Sequence, residues 1–334
     1  MEDRIVSLAE ARSFASDTLI GFNTSPENAR IVAEALVAAE ADGLKGHGLS
    51  RLQGYGAQAR TGKADGHAVP EVSCPAQAAV LVDAKGGFAY PALKLGLETL
   101  TGVTRSQGIA MLGVKHSNHC GVAGHHVEKL AEQGLVALMF ANAPASIAPW
   151  GGKRAIYGTN PIAFASPQQD RPALVIDLSV SKVARGNIMA AAERGEAIPE
   201  GWALDPQGNP TTDARAGLAG TMLPMGDAKG TALALMVEIL CATLVGANHS
   251  YEATSFFDGE GSPPGTGQLI LAIDPAAFGT GYLQRLTALV LAIEEQDGTR
   301  LPGDRRLANR KKAEAEGVRI PATLLAALAA IPRD

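Results

Sequence analysis

Cysteine is scarce and scattered. Cys74, Cys120 and Cys241 are the only three in 334 residues, and no Cys-x-x-Cys pair occurs. That excludes a disulfide framework or a zinc knuckle and predicts reduced thiols. Long apolar runs are missing too. The longest, from Thr231 to Ala247, carries Glu238 in its middle, so it reads as a buried helix and not as a membrane span. The start, Met-Glu-Asp-Arg, is acidic with no apolar core behind it, which predicts no leader and a cytoplasmic chain. Positive charge is not in excess: 29 Lys and Arg against 34 Asp and Glu give a net charge of -5, with no electrostatic footprint for nucleic acid. Charged residues are only 19% against 46% hydrophobic, too little charge for a disordered chain. Also absent are a Gly-x-Gly-x-x-Gly after any strand and a Walker-type loop, so glycine clusters alone do not establish a nucleotide site here.

What is present suits a packed enzyme of two or three structural units sharing one active site. Ser25-Pro26-Glu27 is a helix start, with Ser25 as N-cap, Pro26 at the first helical position and Glu27 favourable to the dipole. The helix is expected to run to about Gly43. Strands are predicted at 79–83, 109–114, 135–141, 174–178 and 269–273, and helices at 91–104, 125–133, 229–246 and 281–295. Their alternation predicts an α/β architecture with a substantial sheet. A last helix is expected over 308–330, returning onto the first.

Several stretches carry chemistry-bearing residues. Gly43 to Gly48 sets glycines around His47, either a turn presenting a side chain to a cleft or a flexible link. His116, His119, His125 and His126 crowd between a predicted strand and helix. Three readings stand for them: a zinc site, a polar ligand met at a helix N-terminus, or a structural cluster. Ala148 to Arg154 and Tyr157 to Pro161 are dense in glycine, proline and hydrogen-bonding groups, a composition built for close backbone approach. Ile176 to Ser181 ends a strand in a carboxylate and two hydroxyls, suited equally to holding a ribose or amide and to capping the next element. Asp258 to Gly265 reads as a mobile surface loop.

Gly46-His47-Gly48-Leu49-Ser50-Arg51-Leu52, His116-Ser117-Asn118-His119-Cys120-Gly121, Ala148-Pro149-Trp150-Gly151-Gly152, Gly158-Thr159-Asn160-Pro161, Gly201-Trp202-Ala203-Leu204-Asp205 and Leu223-Pro224-Met225-Gly226 stand in one order along nearly the whole chain. In that order they resemble the malate/L-lactate dehydrogenase-like family. The resemblance implies an α/β fold that is not Rossmann, with a mixed sheet, flanking helices and a helical domain from both termini. It implies a helical substrate-side domain at 1–62, completed by 283–334, a small α/β segment at 63–114 and an NAD(P)H-binding domain at 115–282. A homodimer is implied, with sites near the subunit interface, and so is NADPH or NADH as hydride donor. By the same resemblance His47 matches the proton donor. Arg51 matches the arginine that grips the substrate carboxylate, and Arg185 a second substrate-side position. His119, Thr159, Asn160, Asp177, Leu178, Ser179, Val180 and Ser181 match cofactor-contacting positions, His119 toward the neighbouring subunit's cofactor. Lys229 and Arg305 match positions that help bind phosphate. No metal is implied.

The chain departs from that pattern at two places: Gly46 stands where the family often has Ser, and Asn187 where it often has an acid. A 2-oxo acid needs a proton delivered to the forming alkoxide, whereas a cyclic ketimine arrives protonated on nitrogen. The departures, with the Pro144 to Trp150 stretch resembling the imino-acid branch, point to NADPH-dependent reduction of Δ1-pyrroline-2-carboxylate and Δ1-piperideine-2-carboxylate to L-proline and L-pipecolate. The alternatives are an NAD(P)-dependent 2-hydroxy-acid dehydrogenase of malate or lactate type and a non-catalytic cofactor-binding protein.

Overall fold

The computed structural model describes residues 2–330. In chain order its elements are β1 (Arg4–Val6), α1 (Leu8–Ile20), α2 (Pro26–Ala41), α3 (Arg51–Thr61), β2 (Glu71–Ala76), β3 (Ala79–Asp83), α4 (Ala89–Gln107), β4 (Ile109–Ser117), α5 (Ala123–Ala131), β5 (Val136–Ala141), β6 (Ile162–Ser166) and β7 (Leu174–Leu178). There follow α6 (Arg185–Arg194), β8 (Ala203–Leu204), β9 (Pro210–Thr211), α7 (Ala214–Ala219), β10 (Thr221–Met222), α8 (Ala228–Glu238), β11 (Thr266–Ile273), α9 (Tyr282–Glu294), α10 (Asp304–Glu316), β12 (Val318–Ile320) and α11 (Ala322–Ala330). A 3-10 turn at Lys45–His47 precedes α3, and a π-helical turn at Ile239–Thr243 continues α8.

Seven strands form one sheet in the order β2-β3-β4-β11-β5-β6-β7. Only β3 and β4, joined through α4, run parallel; the other neighbours are antiparallel. A doubly wound dinucleotide fold is built on a mostly parallel sheet. One parallel pair in seven strands therefore confirms a mixed, non-Rossmann α/β fold. Helices α4 and α5 bury Leu93, Leu100, Val127 and Leu130 against Leu112, Met139 and Ile270 of the sheet. The π turn packs near β11 with Cys241, Val245 and Leu269 in contact. That approach requires glycine at position 267, where a Cβ would lie 1.9 Å from the Cys241 carbonyl oxygen.

A second core gathers both ends of the described chain. Ala15, Leu19, Val32, Leu36, Leu52 and Tyr55 meet Ala313, Ile320 and Leu328, β1 pairs antiparallel with β12, α10 packs on α2 and α11 on α3. Helix α2 starts as its residues dictate, with the Ser25 side chain accepting from the Asn28 amide and Pro26 in the first turn. The single helix expected over 308–330 is instead two helices with a strand between. Gly317, at φ 79°, ends α10, and Pro321 starts α11 after the chain has extended to pair with β1. A third, smaller core holds Ile147, Val180, Ile188, Ile198 and Met222 between α6, α7 and the three-stranded sheet β10-β8-β9. Among the described residues no helix is long and apolar enough to cross a membrane; Glu238 of the longest apolar run is buried at the end of α8.

Candidate active site

The site is assembled by three short segments. The first is the turn after α2. Asp42 caps that helix, the chain reverses at Gly43 (φ 78°), and the 3-10 turn ends on His47 just before α3 begins at Arg51. Glu40 holds the turn from behind, accepting the Leu49 amide at 3.0 Å; at Gly48 a Cβ would fall 2.3 Å from the Glu40 carboxylate, so this position must lack one. The second segment is the loop from β4 to α5, which carries His119 to the same place: the rings of His47 and His119 stack with centroids 5.2 Å apart and planes 15° apart. The third is the loop before β11, whose Phe256 ring lies 5.1 Å from His119 and whose Phe257 ring lies 4.5 Å from the Arg51 guanidinium carbon.

Two polar atoms in this place are fully enclosed without a partner among the described residues: His47 Nδ1 and Arg51 Nη1. Arg51 Nε donates to the Gly46 carbonyl at 2.7 Å, which orients the guanidinium and leaves its outer edge free for an anion. Enclosed unpartnered donors and acceptors are costly, and a ligand with a carboxylate and a hydrogen-bonding centre satisfies both. Burial, then the positive charges of Arg51 and His125, hold the His47 pKa down at about 4; burial, Arg51 and His47 depress that of His119 likewise. Both imidazoles are neutral at pH 7. His119 Nδ1 pairs with the Tyr55 hydroxyl at 2.6 Å, and Tyr55 with that of Tyr90 at 3.1 Å. Burial pushes the Tyr55 phenol up to about 12.

The four clustered histidines do not converge on one point. His116 faces Asp83, His125 binds Asp42 at 2.8 Å, His126 bonds the Cys120 carbonyl at 2.8 Å, and only His119 turns to His47. Of the positions matched to cofactor contacts, Thr159, Asn160 and Val180 come together, since the Val180 amide donates to the Thr159 carbonyl at 2.9 Å. Asn160, fully buried at φ 39°, is braced by Glu238, which accepts from its Nδ2 at 2.7 Å and from the Ser250 amide at 3.0 Å. Asp177 and Leu178 are exposed at the end of β7, and Asp177 accepts the Gly124 amide at the start of α5 at 2.7 Å. Ser179 and Ser181 bond each other at 2.8 Å, and Ser181 also donates to the Val183 carbonyl. The Val180 carbonyl accepts from Met225, just ahead of α8, whose start has no side-chain cap and carries Lys229 in its first turn.

Three positions are not joined to these groups by any hydrogen bond or ion pair among the described residues. Arg185 opens α6 half-buried and unpaired; burial alone lowers its pKa. Arg305 is exposed on α10, beside Arg306, which is committed to Glu128 and Asp42. Asn187 is exposed on the first turn of α6. At Gly46, by contrast, a Cβ meets nothing within 4 Å, so the missing hydroxyl leaves open room beside His47. The loop expected to be mobile, 258–265, is fastened: Asp258 to Lys63 and the Gly259 carbonyl to Thr61. Tyr55, Phe256 and Phe257 had no local signal, because they enter the site only through packing of α3 against a loop some 200 positions away.

One chain with a mixed sheet thus carries an enclosed imidazole, a part-free guanidinium and an uncapped helix start. Residues 6–329 match the malate/L-lactate dehydrogenase family, and the chain belongs to that family of nicotinamide-dependent oxidoreductases. The chain is 51% identical to (2R)-3-sulfolactate dehydrogenase (NADP(+)) of Chromohalobacter salexigens, over 95% of each protein. It is 40% identical to Delta(1)-pyrroline-2-carboxylate reductase of Ancylobacter novellus, over 98% of this chain and 97% of that one. The crystal structure of Δ1-piperideine-2-carboxylate reductase from Pseudomonas syringae superposes with a TM-score of 0.92 at 39% identity, covering 97% of this chain and 98% of that one.

Proposed function

We propose that the protein uses NADPH to reduce the C=N bond of a cyclic 2-imino carboxylate, Δ1-pyrroline-2-carboxylate or Δ1-piperideine-2-carboxylate, to L-proline or L-pipecolate. The observation that carries this reading is the state of His47: enclosed, unpartnered at Nδ1, neutral down to about pH 4, and preceded by a glycine with no hydroxyl to orient it. Such an imidazole is a poor proton source. A protonated ketimine needs none, because the π electrons of C=N collapse onto nitrogen as C2 accepts a hydride, giving a neutral secondary amine. Bound NADPH supplies that hydride. The uncapped start of α8, with Lys229 in its first turn and the open Gly226 before it, fits a phosphate, and the run Asp177 to Ser181 with Thr159 and Asn160 fits the nicotinamide end. The name of the C. salexigens relative supports NADP(H) over NAD(H).

Within this reading Arg51 grips the substrate carboxylate and His47 orients the imine nitrogen. Of the described residues, 2–62 with 283–330 are assigned to the substrate side, 63–114 to a small α/β segment and 115–282 to the cofactor side. Arg51→Lys is expected to raise KM for the imino acid at least tenfold with a smaller change in kcat, since a point charge replaces a planar fork; steady-state kinetics measure it, and an unchanged KM removes Arg51 from the site. We also take the active form to be a homodimer. Its support is the apolar surface left exposed by Leu235, Met236, Ile239 and Leu244 along α8 and the π turn.

A second reading has its own observation. The 51% identity to a sulfolactate dehydrogenase, together with the half-buried and unpaired Arg185, favours a substrate with a second anionic group, 3-sulfopyruvate. Following NADPH absorbance with pyrroline-2-carboxylate, piperideine-2-carboxylate, 3-sulfopyruvate, pyruvate and oxaloacetate separates the two. A kcat/KM for 3-sulfopyruvate far above both imines overturns the ketimine reading.

A further inference from the structure

We infer that Phe257 is a specificity-determining residue for the substrate's side chain, and that Lys63 is the positioning residue that holds it there. The inference rests on Arg51 being the carboxylate anchor. Phe257 is 51% exposed, so filling the core does not account for it. One ring face covers the Arg51 guanidinium at 4.5 Å and fixes its plane by cation–π contact. About half of the residue's surface stays accessible. A substrate whose carboxylate meets the outer edge of that guanidinium brings the first methylene of its side chain, present in a cyclic imino acid and in 3-sulfopyruvate alike, to the ring, where it is favoured.

The loop that presents the ring is held at several points. Gln58 donates to the Phe256 carbonyl at 2.8 Å, and Thr61 to the Gly259 carbonyl at 2.9 Å. Lys63 Nζ donates to both the Asp258 carbonyl, at 3.2 Å, and its carboxylate, at 3.1 Å. Lys63 is the informative partner. Its side chain is only 1% exposed, whereas that of Asp258 is 47% exposed. An ammonium withdrawn from water to hold one loop carboxylate gains little stability over an apolar side chain of similar volume, so its contribution lies in where it sets the loop. A bound substrate then meets a wall whose position is fixed before it arrives, which lowers the ordering cost of binding.

The experiment uses the full-length holoenzyme and whichever of pyrroline-2-carboxylate and 3-sulfopyruvate the wild type reduces, so failure of the ketimine reading leaves it intact. Phe257→Ala is expected to raise KM about tenfold, to change kcat by less than about twofold, and to leave NADPH affinity by fluorescence titration unchanged. Phe257→Tyr is expected to keep the wild-type KM. Lys63→Met is expected to raise KM in the same direction while the urea midpoint stays at or above that of the wild type. Wild-type KM in both Phe257→Ala and Lys63→Met overturns the inference. So does a joint fall of kcat, NADPH affinity and urea midpoint, which is the pattern of a merely structural role.

Discussion

Replacing Asp42 by alanine is expected to cost the folded chain about 3–5 kcal/mol, the range for breaking a buried charge pair and leaving its partner uncompensated. Asp42 has no exposed side-chain surface, and it accepts from His125 at 2.8 Å, from Arg310 Nε at 2.8 Å and Nη2 at 3.0 Å, and from Arg306 at 3.2 Å. Glu128 completes the cluster, bound by Arg306 at 2.7 and 2.9 Å and by Arg310 at 3.0 Å. With Asp42 gone, two guanidiniums share one carboxylate inside the protein. Burial by itself pushes the Asp42 carboxyl up, but the bonds from His125 and Arg310 and their charges prevail and hold it below the ordinary value of 3.8. A depressed carboxyl contributes stability that is whole above its unfolded pKa and is lost as pH falls through the folded one. Urea titrations should therefore show wild-type stability declining below about pH 4, with a flatter acid limb in Asp42→Asn. An Asp42→Ala midpoint within error of the wild type at pH 7 sinks the claim that this cluster ties α2, α5 and α10 together.

The second large effect is a contrast between substrates. In His47→Ala, kcat/KM for a ketimine is expected to fall by far less than the roughly 10²–10⁴-fold typical of a lost general acid, and by less than for a 2-oxo acid. The sign of the pH dependence follows from the same group. His47 carries a depressed pKa of about 4, so across neutral pH it does not change charge, and the ketimine rate should instead fall as pH rises through the iminium's own ionisation. Gly46→Ser is the complementary variant, since its Cβ meets no neighbour. Together with Asn187→Asp it should help 2-oxo acids more than ketimines, because only the ketone needs a proton in the transition state. A loss of several thousand-fold with the ketimine in His47→Ala, in protein that still folds and binds NADPH, refutes the pre-protonated mechanism.

Elements with strong local chemistry are legible in the sequence. Ser25-Pro26 places the start of α2, and apolar runs bounded by turn residues place β3 and β7 on their observed residues. What local signal cannot carry is partnership. Strand β11 lies between β4 and β5, although it follows them by more than 120 residues. The six residues of β2 are all exposed and include Pro75, so they lack the alternation that marks a strand. The stretch 308–330 reads as one helix until β1 is there to pair with residues 318–320. The site divides in the same way. His47, Arg51 and His119 stand in motifs, and the fold brings the His119 ring onto His47, beside Arg51. The reach of His119 toward a neighbouring subunit's cofactor belongs to an assembly, whereas within the chain its ring stacks on His47. Phe257 sits in a stretch whose glycines and prolines signal a loose loop, and the partner that fastens it, Lys63, looks in sequence like any surface lysine.

The core that joins α1 to α3 with α10 and α11 is closed by elements made some 260 residues after its first helices. His47 and Asp42 leave the ribosome early, but Arg306, Arg310 and β12 come some 260 residues later, and without them α2 has no α10 to cover it and Asp42 no guanidinium partner. At roughly 5–20 residues per second the nascent chain waits on the order of tens of seconds in that state. The seven-stranded sheet, complete once β11 has emerged at Ile273, can therefore form before α10 is made, whereas the turn that carries His47 reaches its final place only after α10 and β12 have emerged. A chain ending before Asp304 keeps His47, Arg51, His119, Phe257 and Lys63, yet it loses the core that aligns them.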